Sequence, residues 1–260
     1  CVVPTEVRSI CVDCAGRGRG NLFGSARAAR PRQWGNVRVS AQTPVVTYAI
    51  IGVCVALWVG DILTKGVITQ YLGFTPIHGL YQPWRILTTA FLHVNLMHIA
   101  FNMVSLYAVG RALEPALGRG PYFCLYLLSA LGGTLGVLGW VLIDPSSAST
   151  VTVGASGAIF GLFGSVFVLQ RAAGIDVRAV AGLLAVNLLY GFIVSGVSWQ
   201  AHVGGLLFGM LTTWGMLALG KPRSGMTAKK QRRRLYLGIA GMFLLELVIL
   251  VVTYMVLLNI

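Results

Sequence analysis

Seven apolar stretches, each near the length needed to cross a bilayer, leave this chain few ways to fold. At 1.5 Å per residue, a helix needs roughly 20 apolar residues to traverse a hydrocarbon core about 30 Å thick. Segments 45–64, 90–110, 122–143, 154–170, 179–196, 200–220 and 235–258 meet or approach that length, and they fill most of the 260 residues. With 56% hydrophobic and only 10% charged residues, the chain is not a soluble domain. Backbone groups in hydrocarbon must find partners within their own segment, which makes each stretch a helix. The expected fold is therefore all-α, a polytopic membrane helix bundle preceded by an arm at 1–44.

The cations test that topology independently, because Lys and Arg near span ends are retained on the cytoplasmic side. With the arm inside, the alternating inside segments hold 18 of the 20 basic residues, and only Lys65 and Arg85 fall outside. The expected topology thus has a cytoplasmic N-terminus and an external C-terminus. The net charge of +13 follows from it. The KKQRRR run at 229–234 reads as an anchor against anionic lipid rather than a nucleic-acid site.

The arm opens on Cys1 rather than Met, which reads as a fragment or a processed form. Cys1, Cys11 and Cys14 include one CxxC pair, and in a reducing compartment such spacing favours zinc over a disulfide. Zinc takes four ligands, so a site here needs a fourth from upstream, and unliganded thiols are the alternative. The Gly-, Arg- and Ala-rich stretch 15–44 reads as a flexible basic linker. Cys54 and Cys124 fall in spans and read as small core hydrophobes.

A polar side chain inside a span is costly and needs either a structural partner or a task. The spans contain His93, His98, Asn102, Ser156, Asn187, His202 and Glu246. Ser156 lies 15 residues before Arg171, about 22 Å above the cytoplasmic end, and His202 lies 19 before Lys221, about 28 Å. His98 and Asn102, at i and i+4, descend on a third helix and lie about 40° apart around it. Three helices thus bring polar groups to one depth in the outer half of the membrane. The fourth span is short, and loop 144–153 before it then dips below the surface, which requires water or protein around it.

Small residues allow close helix approach. Ala201, Gly205 and Gly209 form one stripe, with His202 within about 60° of both glycines, and Gly157, Gly161 and Gly164 form another. Ser156 lies roughly 80 to 140° from the second stripe, so the helical wheel permits a meeting with His202 without requiring it. Such a meeting would suit acyl transfer: imidazole activates the hydroxyl, and no carboxylate on either span completes a triad. Oxyanion donors are available from Asn102, His98 and the backbone N–H groups at the fourth helix start. Gly154 and Gly157 let a peptide backbone approach.

The motifs HVNLMHIAFNM at 93–103, GASGAIFGLFG at 154–164 and AHVGGLLFG at 201–209 resemble, in order and spacing, the rhomboid family of intramembrane serine proteases. The resemblance covers most of 45–220. It implies a six-helix catalytic core there, a basic cytoplasmic loop at 221–234 and an added seventh helix in 235–260. It implies Ser156 as nucleophile and His202 as general base, with His98 and Asn102 supporting the oxyanion and His93 near the site. Phe160 stands where many members have Tyr stacked on the imidazole. Trp84 and Arg85 resemble the family's WR motif in the first external loop, and Glu114 an acidic residue bracing the end of the second helix. The implied activity is hydrolysis of a peptide bond in or near the transmembrane helix of a single-pass substrate, without metal or nucleotide, in a bacterial cell membrane.

Other readings stay open at this point. A rhomboid-like binder of transmembrane helices without activity is disfavoured by the presence of both Ser156 and His202. A transporter is disfavoured by the few intramembrane charges and the lack of paired broken helices. A metal site in the core is disfavoured because His93 and His98, five residues apart, fall about 140° apart on a wheel. Asn187 reads as structural, and Glu246 as a neutral acid or a hydrogen-bonded packing residue.

Overall fold

The computed structural model describes residues 43–221 and 225–259, together with 2–3, 10–11, 33–34 and 37–38. Cys1, Cys14 and the side chain of Cys11, which carry the zinc expectation, lie outside the described residues. Two-residue antiparallel ladders join Val2–Val3 to Ile10–Cys11 and Gln33–Trp34 to Val37–Arg38. The rest is helical: α1 (Val45–Leu63), α2 (Val67–Leu72), α3 (Pro76–Tyr81), α4 (Arg85–Thr88), α5 (Leu96–Leu117) and α6 (Arg119–Val141). They are followed by α7 (Ser156–Ala172), α8 (Arg178–Ile193), α9 (Trp199–Gly220) and α10 (Ala228–Leu257), with 3-10 turns at Thr89–Phe91 and Pro145–Ser149. This is a polytopic helical bundle. Five helices, α1, α5, α6, α9 and α10, are long and apolar enough to cross a membrane, while α7 and α8 are apolar but shorter.

Among the boundaries that differ from the hydropathy reading, three have a clear local setting. The span expected at 90–110 begins only at Leu96, because Leu92 is extended and the Asn95 side chain caps the helix by accepting from His98 N at 2.8 Å. His93 therefore precedes the helix. The last helix starts at Ala228, with Thr227 accepting from Lys230 N at 3.3 Å, so the basic run expected in loop 221–234 forms its first two turns. The fifth span stops at Ile193, where Val194 turns extended.

The centre of the bundle is α6. Its most apolar 18-residue window is 72% buried, against 17% for α1 and α10, so α6 is walled by protein where those two face outward. It packs on α7 and α9 through glycines from all three helices. A Cβ on Gly205 would run into the backbone of Gly157, one on Gly209 into that of Gly161, and one on Gly204 into that of Gly132. In lipid no hydrophobic effect draws apolar helices together, so close contact of this kind supplies the dispersion energy that does. The α6 glycines Gly132, Gly133 and Gly136 were not among the expected stripes. GGTLG at 132–136 was the available signal.

Glu114, near the end of α5, is 2% exposed. It caps another helix, accepting from Val46 N at 2.9 Å, Thr47 N at 2.8 Å and Thr47 Oγ1 at 2.8 Å at the start of α1. A carboxylate there meets both the free N–H groups and the positive end of the helix dipole. Glu114→Ala is expected to cost about 3 kcal/mol or more, since each orphaned buried donor costs about 1–3 kcal/mol. Thermal unfolding in detergent reads this directly, and an unchanged midpoint would refute the capping role.

The segment between α1 and α5 is held by polar ties. Arg85 Nη1 donates to Gly73 O at 2.6 Å and Nε to Gln82 Oε1 at 2.5 Å, while Trp84 Nε1 donates to Tyr71 O at 3.3 Å. From α10, Tyr254 Oη donates to Pro76 O at 3.1 Å. Glu246 is 0% exposed, and neither carboxyl oxygen has a hydrogen bond among the described residues, so the hydrogen-bonded alternative is not realised. Asn187 donates back to Leu183 O at 2.8 Å within its own helix.

Candidate active site

Ser156 is the first residue of α7, and His202 sits in the first turn of α9. The glycine contacts below them, Gly157 on Gly205 and Gly161 on Gly209, bring the two helix starts together. The result is a contact of 2.9 Å between Ser156 Oγ and His202 Nε2, the distance of a hydrogen bond. His202 is 6% exposed, and the Phe160 ring, one turn below Ser156, lies flat on it with centroids 4.2 Å apart and planes at 12°. Stacking fixes the plane of the imidazole and hence the direction of Nε2.

The approach to Ser156 is fixed by the chain before it. Thr152 pairs with Phe74 through two backbone bonds, Thr152 N to Phe74 O at 2.8 Å and Phe74 N to Thr152 O at 3.2 Å. Gly154 N then donates to Thr89 O at 3.0 Å. Gly154 has φ +136°, and a Cβ on it would lie 2.8 Å from His98 Nε2. Only glycine meets both demands. The first backbone bond of α7 is Ile159 N to Ala155 O at 2.9 Å, which leaves the N–H groups of Ser156, Gly157 and Ala158 unused by the helix.

The remaining expected residues are placed as follows. His98 stands against Gly154, but the Asn102 amide donates to its own helix, Nδ2 to His98 O at 2.9 Å, and neither side chain hydrogen-bonds Ser156. His93 and His98 meet edge to face at 5.0 Å, contrary to the wheel argument, because His93 is not on the helix. No group of three or more His, Cys, Asp or Glu side chains arranged to hold a metal occurs among the described residues. Gly191 was not expected near the site: a Cβ there would lie 3.2 Å from His202 Nδ1. Nothing in its local sequence distinguishes it from any other helix glycine.

Chemically, a half-buried hydroxyl against a buried imidazole, beside free N–H groups at a helix start, is equipped for attack on a carbonyl carbon. The Rhomboid domain model matches residues 81–219. The chain is 33% identical over 155 residues to rhomboid protease GluP of Bacillus subtilis, covering 56% of this chain and 28% of GluP. To YdcA of the same strain it is 34% identical over 184 residues, 66% of this chain and 87% of YdcA. To rhomboid protease GlpG of Yersinia enterocolitica it is 30% identical over 183 residues, 66% of this chain and 62% of GlpG. The match to GluP spans little more than a quarter of that protein. With the domain model spanning Tyr81 to Leu219 and the YdcA match spanning most of that relative, the chain belongs to the rhomboid family.

Proposed function

We propose that this protein is an intramembrane serine endopeptidase that cleaves a peptide bond in or near the transmembrane helix of a single-pass substrate. The observation that carries the reading is the 2.9 Å contact between Ser156 Oγ and His202 Nε2. Membership of a family whose named relatives include proteases supports it. In this reading residues 45–220 are the catalytic core, 1–44 a cytoplasmic arm, and α10 an addition to the core.

Ser156 Oγ attacks the scissile carbonyl carbon while its proton passes to His202 Nε2. The resulting oxyanion accepts from the N–H groups at the start of α7 and from His98. Asn102 joins them once its amide leaves His98 O. The C–N bond then breaks as His202 gives the proton to the leaving amine, leaving an acyl ester on Ser156. A water loses its proton to His202, attacks the ester and releases the acid, and the proton returns to Ser156. Phe160 holds the imidazole plane throughout. No metal or nucleotide enters this sequence.

Purified protein in detergent or liposomes should cleave a model single-pass substrate, and Ser156→Ala should not. Equal cleavage by the two would remove the proposal. The topology, N-terminus cytoplasmic and C-terminus external, rests on the asymmetry of the cations. A membrane-impermeant thiol reagent applied to intact cells should label Lys65→Cys and leave Lys230→Cys unlabelled. The reverse pattern would invert the assignment.

A further inference from the structure

A cavity of about 460 Å³ lies between the 137–152 segment and the 191–200 segment. Gly191 forms part of its wall, on the side of His202 that carries Nδ1. That nitrogen is buried and has no hydrogen bond among the described residues. Thr152, which also lines the cavity, is two residues before Gly154 on the approach to Ser156. The cavity therefore shares Gly191 with the surroundings of the imidazole and Thr152 with the chain leading to Ser156.

Asp144 is the only ionisable residue lining it. Its carboxylate caps the Pro145–Ser149 turn through Oδ1, which accepts from Ser146 N at 3.1 Å and Ser146 Oγ at 2.6 Å. Among the described residues Oδ2 accepts from nothing. Counter-charge is scarce on this side of the protein, since under the proposed topology only Lys65 and Arg85 are external, and Arg85 is committed to Gly73 and Gln82. Ser147, Thr150, Ser195 and Ser198 hydroxyls share the lining with this one negative charge, beside apolar side chains that include Trp140, Phe192 and Trp199.

We propose that Asp144 is a specificity-determining residue that selects substrates carrying Lys or Arg within a few residues of the scissile bond, seated in this cavity. The inference rests on the protease reading above. An ammonium or guanidinium group gains a carboxylate and several hydroxyl acceptors. A glutamine gains only the hydroxyls, and a glutamate meets a like charge. An extended peptide advances about 3.3 Å per residue, so a side chain two or three residues from the cleaved bond can enter the cavity while the carbonyl stays at Ser156. Because the pair is partly solvated, the preference is modest, about two- to five-fold in kcat/KM. It also fades with salt as the screening length falls from about 10 Å at 0.1 M to about 3 Å at 1 M.

The test uses the full chain in liposomes and a single-pass model substrate carrying Lys, Gln or Glu at each of the three positions on either side of the cleaved bond. The expected order at one or more positions is Lys over Gln over Glu, with the Lys/Gln ratio at two to five and shrinking at 1 M salt. Asp144→Asn keeps a capping side chain and should bring that ratio to about one. Asp144→Lys should favour Glu. Cleavage without charge dependence at any position, or a Lys preference that persists in Asp144→Asn, overturns the role of Asp144 and leaves the protease reading standing. Failure to cleave any substrate, together with no reaction of Ser156 with a fluorophosphonate, overturns both.

Discussion

His202→Ala should reduce substrate cleavage by on the order of 10⁴-fold or more, close to the loss from removing Ser156 itself. Residues that act as one unit fail together, and in soluble serine proteases losing either the serine or the histidine costs about 10⁶-fold. Here the same dependence follows from geometry. Ser156 Oγ has one basic partner, at 2.9 Å, and among the described residues no carboxylate hydrogen-bonds the far side of the imidazole to share the task. Combining His202→Ala with Ser156→Ala should therefore add little. Initial cleavage rates of the two single variants and the double variant measure this, and a double variant far slower than either single one would mean the two residues act independently.

Gly209→Val should be among the most damaging changes outside the serine-histidine pair. Its Cβ would strike the backbone of Gly161, and backbone on a packed helix cannot move aside as a side chain can. Overpacking a tight core typically costs about 1–3 kcal/mol, and a clash with backbone should reach the upper end or beyond. The contact also sets how closely the starts of α7 and α9 approach, so what survives folding should have a lengthened Ser156–His202 distance. The expected result is a large drop in thermal midpoint together with loss of turnover in the folded fraction. A variant with unchanged melting and activity would show that this contact does not position the pair.

The sequence revealed what depends on hydrophobic length and on rare intramembrane polar groups. Spans could be counted because hydrocarbon demands self-satisfied helices, and Ser156 and His202 stood out because polar residues are costly there. Boundaries were less legible where a cap outweighed hydropathy. Asn95 starts α5 six residues into an apolar run, and Thr227 starts α10 within a basic one. Contacts between distant segments were not legible. The capping of α1 by Glu114 joins positions 67 and 68 residues apart, and Gly191 meets His202 through a fold contact that no periodicity encodes. His93 shows the same limit, since wheel geometry failed once the residue proved to precede the helix.

The central claim, that Ser156 is a nucleophile activated by His202, is tested most directly by covalent labelling with a fluorophosphonate followed by mass spectrometry of the adduct. The prediction is a single adduct on Ser156 in the wild-type protein and none in Ser156→Ala or His202→Ala, both still folded by thermal unfolding. An adduct of equal yield in Ser156→Ala, or one mapped to another residue, would contradict it.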